Sequence, residues 1–353
     1  MLKMSKRIGT IFLLIILSAL QVRAEKEFKD VIVVGKYICG LTSEGKLKFY
    51  DKQTGLLADC AIQYSAPITR LAADKSDNLV IADKSNAIKK YNAQNQSWEL
   101  IAKVKANLYG ILFDSKNQCY GITDEGILDV QTNKTYFSNE SLNHQIHYKD
   151  KWGEPYCYYM DKSDRIWLGF GYGEWGGDLF VFETAENKFL TPKLDSFNIA
   201  LLPIKSFFED AKYTYLSAGL QHMMTSGAII KFDNLKATTL FIDSFLKKSQ
   251  TNADSSVEAE YIEAAAYSQF DNAIYFYSQN GFFKGDETKD LSKFENWQNI
   301  LKPQLHWTYG QPDAVGYAMN VLKMLIIGKE KFVFLTQNDG IGFYDGEKLT
   351  LLQ

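Results

Sequence analysis

The sequence predicts an all-β fold in which seven units of four antiparallel strands close into a ring. Three observations predict it. One short pattern recurs seven times, the residues around each copy fall into short β-branched and aromatic runs between polar turns, and long windows lack the three-and-four apolar spacing of helices. The pattern is a strand, a tight turn and a second strand that ends on an aromatic or apolar residue plus a polar one. Its second strands are Lys46 to Asp51 (KLKFYD), Ala87 to Asn92 (AIKKYN), Gly126 to Gln131 (GILDVQ), Asp178 to Glu183 (DLFVFE), Ala228 to Asp233 (AIIKFD), Gly281 to Asp286 (GFFKGD) and Gly340 to Asp345 (GIGFYD). Their last residues lie 41, 39, 52, 50, 53 and 59 positions apart. That spacing is the period of a β-propeller blade, a sheet that buries both faces only by packing between neighbours in a ring. A count of six or eight blades would follow if the first or last unit were drawn differently.

The amino terminus reads as an export signal. Lys3, Lys6 and Arg7 precede an apolar stretch from Ile8 to Leu20, and Val22-Arg23-Ala24 forms a small-residue cleavage site. The apolar core is about a dozen residues, short of the roughly 20 that span a bilayer. Residues 1–24 are therefore expected to be a cleaved secretory signal, the alternative being a retained anchor. Residues 25–353 are then a single propeller domain, periplasmic or extracellular, with no transmembrane span. The 329 residues after the signal divide into seven units of about 47.

Within the second unit the strands are expected at Ile68 to Ala73, Asn78 to Ala82, Ala87 to Tyr91 and Ser97 to Ala102. The fourth unit follows the same plan with Tyr156 to Met160, Arg165 to Phe170, Asp178 to Phe182 and Lys188 to Leu190. Polar breakers such as Lys75-Ser76-Asp77-Asn78 and Ser85-Asn86 separate them. Only Ser244 to Phe270 has room for a helix, and residues 244–265 are polar enough to be a loop or helical insertion.

Asp161-Lys162-Ser163-Asp164-Arg165-Ile166-Trp167-Leu168-Gly169 resembles the D-x-x-G-x-[LI]-W-[IL]-G repeat of two-component-regulator-type propellers, which are related to the group containing streptogramin lyases. Asp74 to Ala82 (DKSDNLVIA) and Asp114 to Ile122 (DSKNQCYGI) are weaker copies. The resemblance implies the propeller architecture across most of the chain. It assigns no activity, because one fold carries many functions.

Composition narrows the partners. The signal carries four cations (Lys3, Lys6, Arg7, Arg23) and no acid, so the exported form holds 35 basic against 42 acidic residues, a formal balance of −7. No basic patch offers itself to a phosphate backbone, and nucleic acid is excluded as an expected partner. Cys39, Cys60, Cys119 and Cys157 match no zinc spacing. Their even number permits two bridges, with three possible connectivities, and they read either as buried apolar residues or as containing one bridge.

In a blade, the loop joining second and third strands and the loop leading to the next blade emerge on one end of the ring, where a rigid frame can hold function. The long loops of this kind, 138–155, 171–177, 219–227, 244–261 and 302–314, hold all four histidines, His144, His147, His222 and His306. They also hold Trp152, Tyr172, Trp175, Trp307 and Tyr309, with Glu154, Glu174 and Asp313. Three chemistries fit. The histidines with a carboxylate could ligate a divalent metal ion, the cofactor this set admits. A histidine with Tyr172 or Glu174 could do acid/base work. The tryptophans and tyrosines could stack a ligand. Against these stands a plain reading, in which the histidines are solvated and the tryptophans cover the end of the core. The leading expectation is a binding propeller for a small molecule, saccharide or protein ligand. The alternatives are a metal-assisted lyase or hydrolase at the same face, and an interaction scaffold using the outer blade surfaces.

Overall fold

A computed structural model describes residues 28–195, 197–221, 225–244, 259–306 and 321–352. The expected signal, residues 1–24, and His222, Trp307 and Tyr309 lie outside the described residues, as do 245–258 of the expected insertion. The chain is a seven-bladed β-propeller. Six blades are four-stranded antiparallel sheets with strands in sequence order. Blade 1 has three strands, Phe28–Val34, Tyr37–Thr42 and Leu47–Asp51, and a single bridge from Tyr50 to Leu57 stands in place of the fourth. The first strand of each blade is innermost: Phe28–Val34, Ile68–Ala73, Leu108–Phe113, Cys157–Met160, Ile204–Glu209, Ala265–Ser268 and Val321–Gly328.

The recurring sequence pattern marks the third strand of every blade, as in Ala87–Asn92, Gly281–Asp286 and Ile341–Tyr344. Middle strands read as unbroken apolar runs because neighbours cover both faces; Leu79–Asp83 and Ala273–Ser278 are buried at every position. Between blades 4 and 5, Trp167, Val181, Phe207, Leu216, Ile230 and Phe232 form one such layer. Burying each of these side chains contributes roughly 1.5–3 kcal/mol.

The motif around Asp161 earns its composition in the first turn of blade 4. Asp161 Oδ1 accepts the backbone N–H groups of Ser163 (2.9 Å) and Arg165 (2.9 Å), an Asx turn. Its Oδ2 accepts from Arg165 Nε and Trp167 Nε1, each at 2.8 Å. Asp164 sits in the left-handed region at φ 58°, and Asp77 (62°) and Asn117 (66°) repeat it in blades 2 and 3. Asp74 and Asp114 make the same paired turn bonds as Asp161.

Among the described residues the ring closes without exchange of strands between its two ends. Phe28, Val31, Ile38 and Tyr50 of blade 1 pack on Val333, Leu335, Ile341, Phe343 and Leu352 of blade 7. Lys323 Nζ reaches Asp30 Oδ1 across the seam at 2.9 Å. Gly40 makes the approach fit, because a Cβ there would lie 2.7 Å from both the Phe28 ring and Ile341 Cδ1.

Two loops are shorter than the sequence suggests. In blade 5 the ladder continues through Gly219↔Gly227 to Gln221↔Thr225, so most of 219–227 is strand. In blade 4 Gly171 pairs with Gly177 around a 3-10 turn, Gly173–Trp175. Of the expected insertion, residues 259–264 are a buried segment leading into blade 6, and Ala265 opens its inner strand. All four cysteines are free thiols. Burial pushes the Cys119 thiol up to about 12, far from thiolate reactivity at neutral pH.

Candidate binding channel

Five inner strands break register at the same place, their second residue. The bulges fall at Lys29, Thr69, Tyr109, Lys205 and Leu322. A bulge re-aims a side chain out of the ladder, and all five residues line the axial channel. The channel is a cavity of about 680 Å³ to which all seven blades contribute. Because these residues directly follow the loops between blades, they stand near the end of the ring that carries those loops. Phe208, Glu209, Tyr267 and Ile326 line it further along their strands.

The mouth is charged and aromatic. Arg70 of blade 2 reaches past blade 3 to Glu154, with Nη2 to Oε1 at 2.8 Å. Beneath that strap lies Tyr109, whose hydroxyl donates to the Trp152 carbonyl oxygen at 3.4 Å. Tyr158 of blade 4 lies over Gly110, where a Cβ would come within 2.4 Å of its ring. Asp30 is held by Lys323, and Lys29 Nζ donates to the Ile68 carbonyl at 2.9 Å. Burial, then the neighbouring Arg70, lowers the Lys29 pKa.

Lys205 stands apart. It is 2% exposed, and its Nζ lies 4.5 Å from the Tyr156 ring centroid and 5.5 Å from that of Tyr261. Burial lowers its pKa, against a raising influence from Glu263. Among the described residues no carboxylate forms an ion pair with it. Arg70 Nε is likewise buried without a hydrogen-bond partner.

The residues named from sequence divide into exposed and enclosed side chains. His144 and His147 are exposed on loop 137–156. That loop is bolted to the second turn of blade 4: Asn143 Nδ2 donates to the carbonyls of Trp175 and Gly177 (2.9 Å each), and Ser141 donates to Asp178 at 2.6 Å. Burial raises the Asp178 pKa in spite of these bonds. Trp175 is 59% exposed beside the histidine loop. Tyr172 stacks on Phe170, its hydroxyl 2.6 Å from that of Tyr148. Trp152 is enclosed, 3% exposed, among Phe137, Phe170, Phe180 and Phe189, so its ring fills the core and offers no open face. His306 is exposed, and its Nδ1 lies 2.5 Å from Asp339 Oδ1. Among the described residues no three histidine, cysteine or acidic side chains gather as a metal cluster.

Sequence reasoning passed over Lys29, Asp30, Arg70, Tyr109, Lys205 and Lys323. Their signal was a charged or polar intrusion at the second or third position of an otherwise apolar strand, as in IKSFFE and FKDVIVV.

No family model matches the chain, and no curated protein matches it either. Solved structures match in fold. The β-propeller domain of Cps50 (Swd1) from Myceliophteria thermophila has a TM-score of 0.57 at 10% identity, covering 92% of this chain and 98% of that one. The extracellular domain of BT4673 from B. thetaiotaomicron, assigned as a one-component system, gives 0.52 at 13% identity over 91% of this chain and 38% of that one. That of BT3049, assigned as a hybrid two-component system, gives 0.52 at 13% over 90% and 40%. The chain thus spans about two-fifths of those two bacterial structures. At such identities the likeness is one of fold.

Proposed function

We propose that this chain is an exported binding propeller that takes a ligand at the mouth of its axial channel. The observation that carries the reading is the convergence of five bulged inner-strand residues on one cavity that also holds Arg70, Asp30 and Lys323. A cavity of about 680 Å³ suits a small molecule, a short saccharide or a protein loop. Tyr109, Tyr156 and Tyr158 supply flat faces, and the charges supply orientation. Trp175 and Tyr172, with His144 and His147, belong to the same end and would extend the contact outward. The amino-terminal residues 1–24 support export, and the extracellular placement of the two bacterial domains above is in keeping with it.

The test is a thermal-shift screen of saccharides, small acids and peptides, followed by titration of any hit. A Tyr109→Ala, Trp175→Ala double variant should weaken binding at least tenfold while folding normally. A second reading, the interaction scaffold, draws on exposed Leu56, Leu57 and Leu100 on the outer blade surfaces. Loss of binding in Leu100→Asp with none in the double variant would favour it.

A further inference from the structure

We infer that Lys205 is an oxyanion subsite of the channel, its ammonium receiving the carboxylate, phosphate or sulfate group of a small molecule that enters at the mouth. The inference deepens the binding reading above and rests on it. Lys205 lines the cavity wall although it is almost wholly buried. A buried ammonium with no carboxylate in ion-pair contact is costly, and two tyrosine faces with the more distant charge of Glu263 offset only part of that.

The nearby acids are held by other donors, although the charge of Glu263 still acts on Lys205 through space. Glu263 takes the Val321 N–H (2.8 Å) and the Tyr261 hydroxyl (3.3 Å). Asp30 holds Lys323, Glu154 holds Arg70, and Glu209 takes the Lys162 N–H at 3.0 Å. Arg70 Nε supplies an independent second observation, a buried cationic donor on the same cavity with no partner among the described residues. Both groups lack acceptor lone pairs and negative charge, which an oxyanion brings. An ammonium is a compact point charge and does not choose among oxyanions by shape, so the shared chemistry is what the site specifies.

The experiment is calorimetric titration of the full chain at fixed ionic strength with acetate, glucuronate, inorganic phosphate and sulfate, with glucose as the neutral control. At least one oxyanion should bind the wild type saturably, and which one identifies the source of the charge. Lys205→Met should weaken it tenfold or more, and Lys212→Met, an exposed lysine, should leave it unchanged. Lys205→Gln repeats the test if the methionine variant does not fold. Absence of any oxyanion binding, or equal affinity in the Lys205 variants, overturns the inference. Oxyanion binding lost with Lys205 alongside a screened ligand indifferent to Tyr109 and Trp175 overturns the mouth reading and leaves the subsite standing.

Discussion

Asp164 in the first turn of blade 4 accepts the backbone N–H of Ser115 in the first turn of blade 3 at 2.7 Å, and its other oxygen takes the Ser115 hydroxyl at 2.5 Å. Asn117 does the same for the Lys75 N–H of blade 2 (2.9 Å), and Asp77 for the Gly35 N–H of blade 1 (2.6 Å). The left-handed residue of each turn thus staples its blade to the previous one. A glycine in that position would be free of backbone strain but could not reach across. The staples run along the end of the ring opposite the channel mouth.

Asp164→Ala should destabilise by about 2 kcal/mol, because it loses the staple and leaves a β-carbon in the left-handed region. Asp164→Gly loses the staple alone and should cost about 1 kcal/mol less. Urea unfolding of the two variants checks the order; equal losses would mean that the backbone conformation is unimportant.

At the seam between blades 7 and 1, packing should outweigh charge. The Asp30–Lys323 pair is partly exposed, and Lys323→Ala should cost less than about 1 kcal/mol. Gly40→Ala drives a methyl into Phe28 and Ile341 and should cost about 1–3 kcal/mol. Comparison of their denaturation midpoints decides it.

Lys205→Met should raise the thermal midpoint of the unliganded protein, with a gain that depends on pH. The folded pKa lies below the unfolded value, so the unfolded chain holds the proton more tightly between the two. The penalty on the wild type is complete below the folded pKa and fades as pH rises toward the unfolded value. Glu263, Cys157, Tyr156 and Tyr261 are the titratable groups facing Lys205. Melting curves from pH 6 to about 10 should therefore converge for the two proteins. A gain independent of pH would point to packing alone.

Asn143 is fully buried and joins the histidine loop to the turn that carries Trp175. Asn143→Ala leaves two carbonyls without their donor and should cost about 1–3 kcal/mol. Hydrogen exchange should accelerate in residues 141–147 and 172–177 while the inner strands stay protected. Global loss of protection would make Asn143 a core residue of the whole ring.

The blade count and the third strands were legible because KLKFYD, AIKKYN and their counterparts combine a fixed strand chemistry with a fixed period. The channel was not. Lys205 in IKSFFE looks like a solvent-facing strand residue until seven such strands surround one axis, and the bulge that turns it inward has no compositional mark. Trp152 illustrates the opposite difficulty: Asp150, Lys151 and Glu154 suggest an open loop, yet loop 137–156 folds its indole into the blade 3 and blade 4 core. Asp161 and Trp167 were readable as a motif, and the hydrogen bonds of Asp161 explain why those residue types recur.

A crystal of the full chain soaked in selenate, an anomalously scattering sulfate analogue, decides whether the channel holds an oxyanion at Lys205. An anomalous peak is expected inside the axial channel within hydrogen-bonding distance of Lys205 Nζ, absent from crystals of Lys205→Met. Peaks confined to the outer surface, with the channel empty in the wild type, would contradict it.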